Sequence, residues 1–310
     1  MRIAIIDLGT NIFNLIVVET NNEKQYQIIH ESKYAAKLGS GGINNKTMTD
    51  EAFDRGIEAL KKIDEVVKRV NVEKTLGIAT SAIRNASNGK FFVEYVKKNL
   101  AIDIKIIDGN KEAGLIFDGV KQVVPICDEK VMILDIGGGS NEFIIANKNG
   151  IIWKRSFELG MARMLDKFKP SDPITMEEIE RIENYFGNEL VLLFDELKKH
   201  QVITLIGSAG PFDTIAEMIA LMVHPHLDFS KLTSYLISID NFNTLHKVLL
   251  SSSMDERASM ERMDPDRLEM IVLASIFINF IVRECGIEEM WQCKFSLKEG
   301  AIHQIINNQL

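Results

Sequence analysis

One layout, stated twice, limits what this chain can fold into. Ile3 to Ile6 is a nearly continuous apolar run. It enters the polar turn Asp7-Leu8-Gly9-Thr10-Asn11 and returns through Phe13 to Val18. Val131 to Leu134 enters Asp135-Ile136-Gly137-Gly138-Gly139-Ser140 and returns through Glu142 to Ala146. Short apolar runs bounded by such turns read as buried strands joined in hairpins. Each hairpin is followed by a third strand, Tyr26 to Lys33 or Ile151 to Phe157. A long amphipathic helix comes next, Thr49 to Val70 or Met176 to Lys199, and then a short buried strand, Thr75 to Ala79 or Val202 to Ile206. The repeat predicts an α/β protein of two similar domains, each offering a hairpin turn to the cleft between them.

The length of 310 residues suits two domains of ordinary size. Helices over Lys90 to Leu100 and Asn110 to Gln122, around a strand at Ile102 to Ile107, complete the first half. Cys127-Asp128-Glu129 is the expected crossover. From Pro211 the chain reads as mostly helical, over Asp213 to Met222, Ile239 to Ser251, Asp266 to Glu284 and Glu299 to Asn308, with a strand at Met290 to Phe295. The last helix is expected to pack back on the first domain. The domains are thus 1–125 plus 299–310, and 126–298.

The start, Met1-Arg2 and then a short apolar run ended by Asp7, reads as a strand rather than a signal peptide. Met270 to Val282 is too short to cross a bilayer and reads as a buried helix. Cys127, Cys285 and Cys293 are odd in number and lack CxxC spacing, so they read as reduced, buried thiols of a cytoplasmic protein. The net charge of −8 argues against nucleic-acid and membrane-surface partners. It leaves room for a small basic pocket that takes an anionic ligand.

Two turns carry the chemistry. In the first, Gly9 lets backbone N–H groups approach a ligand, Thr10 and Asn11 add donors, and Asp7 can hold a metal or a water. Alone, this turn reads as an ordinary hairpin. In the second, three successive glycines are costly unless the backbone must approach a phosphate chain. Asp135 and Glu142 are hard oxygen donors suited to Mg²⁺. Neither turn is a Walker A loop.

The paired turns resemble the phosphate loops of the actin/hexokinase/Hsp70 superfamily, with its ribonuclease H-like domains. Six segments resemble one branch, the exopolyphosphatase and guanosine pentaphosphate phosphohydrolase (Ppx/GppA) family. They are IAIIDLGTNIFNLIVVE at Ile3, ATSAIRNASN at Ala79, IIDGNKEAGLIFDGV at Ile107, LDIGGGSNEF at Leu134, SFELGMARMLDKF at Ser156 and SLKEGAI at Ser296. The resemblance implies two actin-like domains with a cleft between them. It assigns Glu112 as general base, although from its position alone Glu112 reads as a solvated first-turn acid. It assigns Gly9, Thr10, Asn11, Gly137, Gly138, Gly139 and Ser140 to phosphate binding, and Asp135, Glu142 and Asp7 to the metal, Mg²⁺. Arg84 becomes either a phosphate contact or a structural ion pair; Arg163 reads as structural.

The sequence departs from its relatives at Lys111, Gly114 and Lys298. It departs again in the loop Gly207 to Phe212, where Ala209 and Pro211 weigh against a nucleotide base. His224-Pro225-His226 reads as a loop. Met254, Met260, Met263 and Met270 read as core or interface filler. Met254 to Arg267 reads as a solvated turn or a flap beside the cleft.

The implied activity is Mg²⁺-dependent release of orthophosphate from the ends of inorganic polyphosphate. Guanosine pentaphosphate is the alternative substrate. From another class come an actin-like nucleotide switch and a polyphosphate sensor without turnover. A homodimer is common for this architecture, with no seam legible in the sequence.

Overall fold

Both hairpins form. The computed structural model describes every residue except Asn22 and Ala209. The first sheet holds β1 (Arg2–Leu8), β2 (Ile12–Thr20), β3 (Tyr26–Ala35), β4 (Lys74–Ala79) and β5 (Asp103–Ile106) in the order β3-β2-β1-β4-β5. Around it lie α1 (Asp50–Arg69), α2 (Ser81–Asn85), α3 (Gly89–Leu100) and α4 (Gly109–Val120). The second sheet holds β6 (Val131–Ile136), β7 (Asn141–Asn147), β8 (Gly150–Phe157), β9 (Thr204–Ser208), β10 (Ser234–Ile237) and β11 (Glu289–Cys293), ordered β10-β11-β9-β6-β7-β8. Its helices are α5 (Met161–Phe168), α6 (Met176–Glu189), α7 (Val191–Leu197), α8 (Pro211–Val223), α9 (Ile239–Ser251), α10 (Met254–Ala258) and α11 (Ile271–Glu284). The last helix, α12 (Leu297–Ile306), packs on α4, β1 and β2.

The repeat extends to register. β1 and β6 each pair antiparallel with the next strand and parallel with β4 or β9. Asp7 and Asp135 are the penultimate residues of their strands, opposite Asn14 and Glu142.

Alternation explains why these strands read as unbroken apolar runs. Ala4, Ile6 and Leu8 face a core with residues of α1 and α3, while Ile3 and Ile5 face a second one. Val131 and Ile133 of β6 enter that same second core, together with residues of α4 and α12. Met132, Leu134 and Ile136 face a third core with residues of α5, α6, α8, α9 and α11. Strands buried on both faces need no polar alternation. The α4–α12 contact is close: a Cβ on Gly300 would lie 1.8 Å from the Leu115 carbonyl oxygen.

Several expectations need correction. The helix expected over Met176 to Lys199 breaks at Leu190, just after Gly187-Asn188, two poor helix formers. The helix expected from Asp266 starts at Ile271, because Pro265–Arg267 forms a separate 3₁₀ turn with Asp264 as its cap. Cys127 is exposed in the α4–β6 connection; Cys285 is intermediate and Cys293 buried. Met254 is exposed, whereas Met260, Met263 and Met270 join the third core. Arg257 of the charged stretch is buried and pairs with Asp172 at 2.8 Å, so that stretch is not wholly solvated. His224 and His226 are exposed. Among the described residues, no helix is long and apolar enough to cross a membrane.

Candidate active site

The two turns touch. A Cβ on Gly138 would lie 3.0 Å from Thr10 Cβ, and one on Gly139 would lie 2.5 Å from Ser81 Oγ and 2.6 Å from Thr10 Oγ1. The glycines therefore admit the opposite loop, a close approach that any side chain would block. The second loop is docked on the first turn of α5: the Met161 N–H donates to the Gly137 carbonyl, and those of Ala162 and Arg163 to Gly138, at 2.9 to 3.2 Å. Arg163, buried, donates from Nε to the Gly139 carbonyl at 3.0 Å and from Nη1 to Ile43 at 3.2 Å. That is a structural role.

Four carboxylates gather around these loops. Asp7 accepts from Asn14 Nδ2 at 3.1 Å. Asp135 Oδ2 accepts from Ser208 Oγ at 3.3 Å and from Ser296 Oγ. Glu142 Oε1 accepts from Ser140 Oγ at 2.8 Å and Ser156 Oγ at 2.6 Å. Glu112 lies in the first turn of α4, capped by Asp108, and its Oε2 meets Arg84 Nη1 at 2.7 Å. Glu112 and Glu142 are buried, so Glu112 is no solvated surface acid.

Burial raises the proton affinity of all four, and repulsion adds to it, among themselves for Asp7, Glu112 and Glu142 and from Asp213 for Asp135. Burial pushes Asp7 up to about 7, with Asp135 adding to it and Asn14 opposing. Burial pushes Asp135 up to about 6, against the hydrogen bonds from Ser296 and Ser208. Burial and then the Glu112 charge hold Glu142 well above the usual carboxylate range. Burial pushes Glu112 up to about 7; Arg84 opposes this, while Asp7 and Asp135 reinforce it. A carboxylate poised near neutrality can exchange a proton with a water at working pH.

A cavity of about 720 Å³ opens between the halves. Asp7, Gly9, Thr10, Asn11, Asp135, Gly137 and Gly138 line it. Glu112, Arg84, Gly139, Ser140 and Glu142 are not among its lining residues. Thr10 and Ser140 are buried, and the Ser140 hydroxyl is turned to Glu142. Asn11 Nδ2 points at Met270 Sδ, 2.8 Å away. Cations do enter the cavity wall: Lys33, Arg262, Arg267, Lys294 and Lys298. So do Met263 to Arg267, which places that part of the charged stretch at the cleft. Lys298 holds Glu31 at 3.0 Å and also pairs with Glu299, which caps α12.

In the loop after β9, Pro211 opens α8, and Phe212 packs where a Cβ on Gly207 would lie. Ala209 lies outside the described residues.

Among the described residues, no three His, Cys, Asp or Glu side chains could hold a metal ion by themselves. The donor set still fits a hard cation. The acids are oxygen donors whose repulsion Arg84, Arg267 and Lys298 offset only in part, and Mg²⁺ commonly binds through one or two carboxylates plus substrate phosphates and water.

Sequence reasoning missed α2, α5, β10 and α10 as elements and missed Glu158. The signal for α5 was present: Gly160 before an apolar-periodic run. Glu158 sits in the SFELG segment, where the local sequence shows no partner for its carboxylate.

The pattern of the Ppx/GppA phosphatase family matches residues 16–309. A Haemophilus influenzae relative named "Putative exopolyphosphatase" is 27% identical over 307 residues, spanning 99% of this chain and 92% of the relative. The crystal structure of an exopolyphosphatase from Cytophaga hutchinsonii is 38% identical, with a TM-score of 0.96 over 99% of this chain and 98% of that one. The Aquifex aeolicus member of the Ppx/GppA family shares the fold at 21% identity, with a TM-score of 0.79 over 100% of this chain and 98% of that one. Two repeated α/β halves, touching glycine turns and a buried glutamate at neutral poise thus meet in a chain that belongs to the Ppx/GppA phosphatase family.

Proposed function

We propose that this chain is a cytoplasmic exopolyphosphatase that hydrolyses the terminal phosphoanhydride bond of inorganic polyphosphate and releases orthophosphate. One observation carries the reading: Glu112 is buried, held by Arg84, and poised at about 7 beside the acids of both hairpins. Glu112 takes a proton from water as the water oxygen attacks the terminal phosphorus in line. The bond to the bridging oxygen breaks, and the shortened chain leaves with the electron pair. N–H groups of the Gly9–Asn11 turn and of Gly138 bind phosphate oxygens, the Gly137 N–H being held by the Ser140 carbonyl at 3.0 Å. One or two of Asp135, Glu142 and Asp7 would hold Mg²⁺ together with substrate phosphates and water, and the ion would supply charge neutralisation at the phosphoryl oxygens.

The direct test is orthophosphate release from polyphosphates of several lengths and from guanosine pentaphosphate, each with and without Mg²⁺. Release from polyphosphate that requires Mg²⁺ supports the reading. Tight binding without release points to a sensor instead. The cavity favours a second reading, guanosine pentaphosphate. Its wall includes Phe229, Leu232 and Met263, apolar surface that a bare phosphate chain does not need and a base can cover.

Arg84 offers a further check. It lowers the proton affinity of Glu112 by charge and by its hydrogen bond. In Arg84→Met that opposition is gone, so the acid limb of kcat/KM moves to higher pH. Loss of a charge-assisted hydrogen bond of about 1.5–3 kcal/mol corresponds to a drop of roughly 10- to 100-fold at pH 7. A pH–rate profile measures both. A limb that moves to lower pH would refute the pairing of Arg84 with the base.

A further inference from the structure

We propose that Glu158 is a positioning residue. It latches the two halves closed and keeps Arg84 in register with Glu112; the second part rests on the reading of Glu112 as base. Glu158 follows β8 in the second half. Its carboxylate collects donors from α2 in the first half: Asn85 Nδ2 at 2.9 and 2.8 Å to its two oxygens, and Ser81 Oγ at 3.4 Å. Arg84 Nη2 lies 3.8 Å from Oε1. From its own half Glu158 takes Arg163 Nη2.

Each arginine has a second task. Arg84 holds Glu112, and Arg163 holds the Gly139 carbonyl of the second loop. Glu158 thus joins the arm that carries the base to the arm that carries the phosphate loop. Asn44 adds a parallel tie across the halves, donating to Arg163 O at 3.2 Å and Asp166 Oδ2 at 2.7 Å.

The Glu158 side chain is 49% exposed, so each contact alone is weak. Its effect lies in geometry. α2 carries Ser81, which touches the glycine turn, and Arg84, which touches the base. A shift of about 1 Å between reacting groups can cost about 100-fold in rate.

The test uses Glu158→Ala and the milder Glu158→Gln, which keeps an acceptor for Asn85 and loses the attraction for both arginines. Small-angle X-ray scattering of the ligand-free proteins is expected to give a larger radius of gyration for Glu158→Ala and a smaller change for Glu158→Gln. Polyphosphate kinetics are expected to show kcat reduced about 10- to 100-fold in Glu158→Ala, with KM moved less. If Glu158→Ala fails to fold, Glu158→Gln decides by the same readouts. An unchanged radius of gyration overturns the latch, and an unchanged kcat overturns the positioning role. Scattering needs no substrate, so it judges the latch even if the parent protein releases no phosphate from polyphosphate.

Discussion

Glu112→Gln is expected to release orthophosphate from polyphosphate about 10³-fold more slowly than the parent protein, with substrate affinity little changed. The substitution preserves shape. The amide oxygen can still accept the Arg84 Nη1 hydrogen bond that Glu112 Oε2 accepts at 2.7 Å. The capped first turn of α4 is untouched, since Asp108 caps through Lys111 N. What the amide cannot do is take a proton, and positioned general bases supply about 10²- to 10⁴-fold. The sign with pH follows. A base must be deprotonated to act, so kcat/KM of the parent is expected to rise with pH and level off above about 7. The residual rate of Glu112→Gln is expected to lack that limb. A phosphate-release assay from pH 5 to 9 on both proteins reads this directly. Release by Glu112→Gln at the parent's rate would mean that another group activates the water.

The sequence disclosed the repeated halves because the pattern that carries them is local: apolar runs ending in Asp-x-Gly turns. Glu112, Asp7, Asp135 and Glu142 were legible by motif. Their common electrostatics were not, since repulsion among four acids from β1, α4, β6 and β7 depends on how two sheets meet. The break at Leu190 was hidden because Ile179, Ile182, Phe186, Leu190 and Leu193 keep an apolar stripe across it. In sequence the triple glycine signals only a close approach of the backbone to something. In the structure Thr10, Ser81 and Gly160 crowd Gly138 and Gly139, a contact between distant segments that no local pattern encodes. Glu158 was missed for the same reason: its α2 partners lie more than 70 positions earlier.

The buried acids make a second large effect testable, and it concerns stability. Glu142 is 2% exposed and accepts only hydroxyl hydrogen bonds, beside Glu112 and Asp135. Its proton affinity is raised on folding. Between its ordinary range and its raised value, the folded protein holds a proton that the unfolded chain has released. The folded state then binds more protons, so the unfolding free energy falls as pH rises. Asp7 and Glu112, both pushed up to about 7, and Asp135 at about 6 act in the same direction. The metal-free parent is therefore expected to melt at lower temperature at pH 8 than at pH 5. Glu142→Gln removes one such charge while its amide oxygen still accepts from Ser140 and Ser156. The gain at pH 8 is expected to be about 3 kcal/mol, the low end of what an uncompensated buried charge costs. The same variant is expected to lose Mg²⁺-dependent turnover, because a donor for the cation is gone. Thermal melts at pH 5 and pH 8, with chelator and with Mg²⁺, separate the two effects. Mg²⁺ should raise the melting temperature of the parent at pH 8 more than that of Glu142→Gln. A variant less stable than the parent at pH 8 would show that the Glu142 charge is compensated in the folded protein, and the case for a cation at these acids would fall with it.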